Sequence, residues 1–373
     1  MRIGIDISLL SGSWDGIGHY IYNVLSYMNE QNYGDTFFLY SDKPITKKLG
    51  LRECFILREG IGKGSHVVWL LTKLPRLMKD DQLDVFWQPD FLLPRQVKGV
   101  KTVVTVHDMS AYAYSEYAPT KTNITHKLFL KPTCKNADLI LTISNNCKQE
   151  LKKYMRLDEK KIKTIYNGCK MFPKGINASD DEVRKCLDNL HIKENEYILF
   201  IGTLSPRKNA VVIVKAFLEY VKNGGKKKLV LAGNIAEKSQ DALNLIKESE
   251  YKDSFVIAGY ISDLQKRVLY YNAAMLLYPS RLEGFGFPLL EAMQAQIPVI
   301  TSNCSCMPEI AQDAAVYLND IDSYMELCAR IFEVEKMDNM RRKSLIEAGL
   351  KRVEYFEGMQ FQKQTYESIR DMI

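Results

Sequence analysis

Two carboxylates stand eight positions apart in Glu283-Gly284-Phe285-Gly286-Phe287-Pro288-Leu289-Leu290-Glu291, and the residues between them leave the backbone few choices. Gly284 and Gly286 allow a tight turn and let the chain pass close to a ligand. Pro288 has the fixed φ of a first helical residue, so the turn runs into a helix whose first N–H groups lack intrahelical partners. Those donors, with the helix dipole behind them, suit a phosphate or a developing anion. Glu291 falls about one turn inside the helix, where an ionised carboxylate accepts hydrogen bonds from both hydroxyls of a ribose. Glu283 stays on the loop before the turn.

Other segments carry the same kind of signal. Gly202-Thr203-Leu204-Ser205-Pro206-Arg207-Lys208-Asn209 follows the apolar run Tyr197 to Ile201 and precedes a helical pattern at Val211, Val214, Phe217 and Leu218. It reads as a strand-loop-helix turn ending in two cations. Near the start, Arg2 to Ile7 reads as a strand, and Gly16-Ile17-Gly18-His19-Tyr20 opens an amphipathic helix. As a dinucleotide fingerprint this fails, because Ile21 occupies the third glycine position. The run Lys101 to Val106 ends in His107-Asp108, and ligands of open parallel α/β sheets bind at the carboxyl ends of strands.

Together these segments resemble the family 4 glycosyltransferases, a retaining family with the GT-B fold, whose signature is a pair of glutamates separated by seven residues. The resemblance implies that Glu291 binds the ribose and Glu283 meets the donor sugar near the reacting carbon. It also implies that Arg207 and Lys208 neutralise the leaving diphosphate and that His107 contacts the donor sugar or stabilises the positively charged transition state. Asp108 either orients His107 or binds the acceptor. The implied donor-binding set is Gly16, Gly18, Arg207, Lys208, Gly259, Tyr260, Leu264, Gly284, Phe285, Gly286, Phe287, Leu289 and Glu291, with Gly259, Tyr260 and Leu264 near the nucleobase.

Composition fits this reading and excludes others. At 373 residues the chain exceeds the usual single domain. Its runs of apolar residues fall short of the roughly 20 needed to span a membrane, and the first residues lack a secretory pattern, so cytoplasmic residence is expected. The eight cysteines contain no paired C-x2-C zinc arrangement, and Cys304-Ser305-Cys306 is expected to hold reduced thiols. Asp320-Ile321-Asp322 imitates a metal-nucleotide D-x-D element but precedes a helix, so Asp322 or Ser323 is expected to cap that helix instead. No cofactor and no metal are expected.

Charge is uneven. Residues 1–175 hold about nine more basic than acidic side chains, although the whole chain is +6. The chain shows no recognised nucleic-acid module, so the basic half is matched to a lipid-linked or oligosaccharide acceptor and to peripheral contact with an anionic membrane at the inner face of the cell membrane. Val67 to Lys79 fits either a membrane-surface helix or a packed helix of the acceptor domain. Lys121, Lys127, Lys131 and Lys135 form a further basic stripe near helical spacing, and Asn123 and Asn177 begin glycosylation-like triplets.

Strands are expected near 2–7, 36–41, 53–57, 84–88, 101–107, 138–143 and 162–166, then near 197–201, 228–232, 255–258, 274–278, 297–301 and 315–318. Two series of alternating strands and helices imply an α/β protein with two doubly wound Rossmann-like domains. With the resemblance, this becomes a GT-B architecture of two such domains facing a central cleft. Residues 1–175 would bind the acceptor and 176–355 the nucleotide-sugar donor, with 170–175 as linker. The helix of 356–373 would cross back onto the first domain. The expected activity is hexose transfer from a nucleotide diphosphate sugar, GDP-mannose or a UDP-sugar, in cell-surface polysaccharide synthesis. A sugar-nucleotide 2-epimerase and a non-catalytic nucleotide-binding scaffold are the alternatives.

Overall fold

The computed structural model describes residues 1–12, 14, 16–31, 33–113, 120–168, 175–176 and 178–373, without the side chains of 120–123 and 237. The chain divides into two units, Met1–Gly168 with Met359–Ile373, and Cys169–Gly358. The expected linker residues 170–174, the side chains of Lys121 and Asn123, and Asn177 lie outside the described residues.

The first unit holds β1 (Arg2–Asp6), α1 (Gly16–Glu30), β2 (Thr36–Ser41), β3 (Phe55–Glu59), α2 (His66–Thr72), α3 (Leu74–Asp80), β4 (Val85–Gln88) and β5 (Lys101–Val106). After these come α4 (Ser110–Ala113), α5 (Thr120–Asn136), β6 (Leu139–Thr142), α6 (Asn145–Met155) and β7 (Ile162–Thr164). Its seven strands are ordered β3-β2-β1-β4-β5-β6-β7, all parallel. Both faces are covered, as parallel sheets require. Successive strand residues therefore go to different cores: Phe37, Leu39 and Trp87 pack with α1, while Phe38, Tyr40 and Phe86 pack with α2 and α3.

The second unit holds α7 (Asp180–Asn189), β8 (Tyr197–Ile201), α8 (Ala210–Lys222), β9 (Lys228–Ala232), α9 (Gln240–Glu248), β10 (Phe255–Gly259), α10 (Asp263–Tyr271) and β11 (Met275–Tyr278). It continues with α11 (Phe287–Gln294), β12 (Val299–Ser302), α12 (Met307–Ala311), β13 (Val316–Leu318), α13 (Tyr324–Glu335) and α14 (Asn339–Glu357). Its six parallel strands run β10-β9-β8-β11-β12-β13. Both sheets are doubly wound: the strand order reverses beside the first strand, between β1 and β4 in one unit and between β8 and β11 in the other.

The last helix, α15 (Phe361–Arg370), belongs to the first unit. Phe361 stacks on Tyr20 of α1, the Tyr366 hydroxyl donates to buried Asp35 at 2.6 Å, and Arg370 lies 3.1 Å from the same carboxylate. The division of the chain falls at Gly168 and Gly358, not after 175 and 355. At Gly168 a Cβ would lie 2.6 Å from the Met359 carbonyl oxygen and 2.7 Å from the Phe361 ring, so the two connecting segments run against each other there. Upstream of that junction α14 stays helical through Glu357.

Two local expectations shift. The third strand lies at Phe55–Glu59, two residues beyond 53–57; as an edge strand paired only to β2, it tolerates exposed Arg58 and Glu59. Val67 to Lys79 is two short helices whose Trp69, Leu70, Leu74 and Met78 are buried in the core, with Pro75 in the first turn of the second. The packed alternative is the one the structure adopts.

Candidate functional site

The switch point of the second sheet collects the charged loop residues. The loop after β8 makes a 3-10 turn, Pro206–Lys208, capped by the Ser205 hydroxyl. Asn209 then takes a left-handed conformation, φ 65°, before α8. Its amide donates to Ile321 O at 2.7 Å and accepts from Arg281, which is itself ion-paired to Asp322. Asp322 of the D-x-D sequence is thus committed to Arg281, and Ser323 caps α13 by accepting from Glu326 N at 3.1 Å. The loops after β8 and β9 come so close that a Cβ on Gly233 would sit 2.3 Å from the Gly202 carbonyl oxygen, and φ of 130° at Gly233 compounds the demand for glycine.

Glu283 follows β11 and meets both cations. Its carboxylate lies 2.5 Å from Lys208 Nζ and 3.2 Å from Arg207 Nη1, while Arg207 also donates to Leu282 O at 2.9 Å. Lys208 is only 6 % exposed; it donates to the Tyr278 hydroxyl and sits 4.3 Å from the centre of that ring. Ser305 fixes the Glu283 backbone from the next loop, its hydroxyl 3.1 Å from both N and O. Burial acts to raise the Glu283 pKa, but Lys208 and Arg207 outweigh it and hold the carboxyl below its usual range. The same burial, seconded by Arg207, lowers the Lys208 pKa despite Glu283. Two cations and one anion leave this cluster with a net positive charge, which a diphosphate can match.

Glu291 lies on α11 and is held from α10. Lys266 pairs with Oε1 and the Tyr270 hydroxyl donates to Oε2 at 2.8 Å. Lys266 and Tyr270 were not singled out in the sequence, although their i, i+4 spacing places them on one helix face. Tyr278 and Ser305 were missed as well. Gly286, with φ 88°, makes the turn into α11. The start of this helix has fewer free donors than expected: Pro288 has no N–H, and the Leu289 N–H already donates to Gly286 O at 3.1 Å.

The remaining donor-site expectations separate by burial. Phe285 and Leu289 are buried, with Phe285 packed edge-on to Phe356, so their side chains serve the core rather than a ligand. Phe287 and Leu264 are half-buried, and Gly284 is partly open. Gly259, with φ 64° and open space where a Cβ would lie, ends β10 beside Tyr260, which is 83 % exposed. Cys304 and Cys306 are unbridged, and burial pushes the Cys306 thiol well above its ordinary pKa, which leaves it a poor nucleophile.

In the first unit, His107 follows β5. Its Nε2 lies 2.8 Å from Pro89 O, an acceptor, so Nε2 carries a proton. Tyr20 packs edge-on against it at 5.1 Å. Asp108 accepts from Ser110 N at 2.9 Å, a turn contact at the start of α4. Gly16 and Gly18 lie in the first turn of α1, where a Cβ on Gly18 would touch Trp14 at 3.0 Å. Gly16 is exposed and Gly18 is buried.

Two family descriptions match this chain. "Glycosyltransferase Family 4" covers residues 14–170 and "Glycosyl transferases group 1" covers 187–352. O-antigen chain mannosyltransferase B of Escherichia coli is 28 % identical over 71 % of this chain and 68 % of its own length. O-antigen chain mannosyltransferase RfbU of Salmonella typhimurium is 29 % identical over 59 % of this chain and 57 % of its own. Among solved structures, Anabaena HepE in complex with UDP and glucose superposes with a TM-score of 0.73 over the full length of both chains at 15 % identity, which speaks to the fold. The chain belongs to the family 4 glycosyltransferases, and its fold is GT-B.

Proposed function

We propose that this glycosyltransferase moves mannose from GDP-mannose to a hydroxyl of a lipid-linked or oligosaccharide acceptor in surface-polysaccharide assembly, with retention at the anomeric carbon and without a metal. The observation that carries the reading is Glu283 held between Arg207 and Lys208 where β8 and β11 end. Both named relatives above are mannosyltransferases of O-antigen chains, which favours mannose and that class of acceptor. HepE was solved with UDP and glucose, so a UDP-sugar donor is the second reading.

As the sugar–phosphate bond breaks, negative charge grows on the leaving diphosphate, and preorganised cations stabilise it most at that moment. Arg207 and Lys208 supply that charge. Glu283 is already neutralised by both and is a weak nucleophile, while Cys306 is buried and protonated. These features favour a same-face substitution in which the acceptor oxygen bonds to the anomeric carbon and its proton passes to the departing phosphate oxygen. His107, at the end of β5, is assigned to the donor sugar or to the positively charged transition state. The commitment of Asp322 to Arg281 supports metal independence. No helix among the described residues is long and apolar enough to cross a membrane; residence in the cytoplasm, at the inner membrane face, belongs to this proposal.

Glu291 is assigned to the ribose hydroxyls, with Lys266 and Tyr270 aiming the carboxylate. Glu291→Gln is expected to weaken nucleotide binding by about 1.5–3 kcal/mol, the worth of hydrogen bonds to a charged group. Calorimetric titration reads this directly, and an unchanged Kd removes Glu291 from the ribose.

Thermal stabilisation by GDP, UDP and their sugar conjugates, with chelator present, tests the reading as a whole. A ligand at about 100 times its Kd adds roughly 2.7 kcal/mol. A GDP-selective shift is expected; a UDP-selective one moves the assignment to the second reading, and none at all overturns the donor site.

A further inference from the structure

β11 ends at Tyr278, and from there to Glu283 the chain runs outside the sheet, so its carbonyls need partners other than a strand. Side chains at the end of β12 and in the loop after it supply most of them. Thr301 Oγ1 donates to Tyr278 O at 2.8 Å and the Ser302 hydroxyl to Ser280 O. Cys304 Sγ lies 3.7 Å from Ser280 O and 3.4 Å from Arg281 O, and Arg207 donates to Leu282 O at 2.9 Å. Ser305 completes the row: its hydroxyl accepts from Glu283 N and donates to Glu283 O, both at 3.1 Å. One side chain thus closes on both backbone groups of the residue whose carboxylate lies between Arg207 and Lys208.

The backbone of Ser305 supplies an independent observation. Its φ is 56°, in the left-handed region, where the Cβ of an L residue crowds the following carbonyl and glycine alone escapes the cost. The next residue, Cys306, is fully buried and caps α12, so the loop is pinned on that side. A serine here carries a penalty that glycine would not, and its hydroxyl is committed to Glu283, 22 residues away in the chain. Strain of this kind, held beside a reacting group, points to work done by the side chain.

We propose that Ser305 is a positioning residue for sugar transfer: from its left-handed turn it clamps the Glu283 backbone, and so sets where the Glu283 carboxylate stands between Arg207 and Lys208. This rests on the transferase reading above and adds that Glu283 is aimed from its backbone as well as by its cations. Without the hydroxyl the Glu283 peptide shifts, and a displaced reacting group loses turnover steeply. Nucleotide binding, which that reading gives to Arg207, Lys208 and Glu291, is left in place.

The test uses the full chain as wild type, Ser305→Ala and Ser305→Gly. Both substitutions remove the hydroxyl, but only glycine also removes the left-handed cost, so Ser305→Gly is expected to melt about 2–4 °C above Ser305→Ala. Release of nucleoside diphosphate from GDP-mannose and UDP-glucose is followed with octyl mannoside and octyl N-acetylglucosaminide as surrogate acceptors. Calorimetry gives Kd for GDP and UDP, and mass spectrometry follows hydrogen exchange at the Glu283 amide. Both variants are expected to lose about tenfold or more in kcat, with Kd unchanged and the Glu283 amide exchanging faster. Wild-type turnover in Ser305→Gly means that the hydroxyl serves stability alone, and overturns the inference. So does a Glu283 amide that exchanges no faster in the variants, or a Kd that rises in step with the fall in kcat. Ser305→Gly decides the matter if Ser305→Ala does not fold. A wild type that releases neither nucleotide fails the proposed function and takes this inference with it, whereas failure of the inference alone leaves wild-type release intact.

Discussion

Lys208→Ala is expected to slow transfer by about 10²–10³-fold, the usual consequence of deleting one preorganised charge partner of a transition state, and to destabilise the second unit as well. The two effects have one origin. Lys208 is 6 % exposed and its ammonium is shared by Glu283 and the Tyr278 hydroxyl, so removing it strands a buried carboxylate beside Arg207 alone. Breaking a buried pair costs about 3–5 kcal/mol, and the surviving Arg207 contact places this case near 3. In a unit of this size that is a loss of roughly 6–12 °C in Tm. The pH dependence distinguishes this from a simple cavity. In the wild type the Glu283 pKa is depressed, so the pair's contribution is complete above the ordinary carboxylate pKa and fades as pH falls through the lower folded value. In the variant Glu283 takes up a proton at higher pH, so the stability gap between the two proteins narrows as pH is lowered. A gap constant from pH 8 to pH 4 in denaturant titrations would show that lost packing, not the stranded charge, is responsible.

The fold was legible because parallel strands buried on both faces are short apolar runs, and such runs survive without context. Tyr197 to Ile201 and Lys101 to Val106 could hardly be anything else. What slipped was where burial stops helping: the edge strand β3, with only β2 to pair, ends in exposed Arg58 and Glu59 and shows no apolar run at its end. The candidate site divides along a similar line. Arg207, Lys208, Glu283 and Glu291 announce themselves by type and by their place after a strand or inside a helix start. Their pairing does not, because Lys208 and Glu283 meet only through the register that sets β8 beside β11. Lys266 and Tyr270 were invisible for the same reason: an i, i+4 pair on α10 says which face it shares but not that Glu291 faces it. Phe285 and Leu289 turn their side chains into the core, which sequence proximity to a binding loop does not reveal. Net charge was silent on the local arrangement, since it sums over a surface and does not register that Asp6 and Asp42 flank His66 in the first unit.

Glu283→Gln is expected to reduce transfer at least as strongly as Lys208→Ala while leaving nucleotide affinity intact or improved. The amide preserves shape and its single oxygen can still accept from one of the two cations, which now bind different carboxylate oxygens, so the loop and the Ser305 contacts to its backbone remain. What vanishes is the negative charge that the cations now share. A diphosphate then meets two cations without an internal competitor, which strengthens ground-state binding, while the sugar loses the carboxylate proposed to hold it at the reacting carbon. Uniformly tighter binding does not raise turnover; only interactions stronger in the transition state do. The expected signature is therefore a fall of about 10²–10³ in kcat, similar to loss of one transition-state hydrogen-bond partner, with Kd for the nucleotide equal or lower. If Kd instead rises in step with the loss of kcat, Glu283 acts by aiming Arg207 and Lys208 and does not touch the sugar. Full wild-type turnover in Glu283→Gln would leave the chemistry to Arg207, Lys208 and His107. The Gln variant is preferred to Ala for this measurement because, although both remove the anion beside buried Lys208, Gln keeps the side-chain volume and a hydrogen-bond acceptor there. Ala would also open a cavity against Lys208, and lost packing could then no longer be told apart from the lost carboxylate.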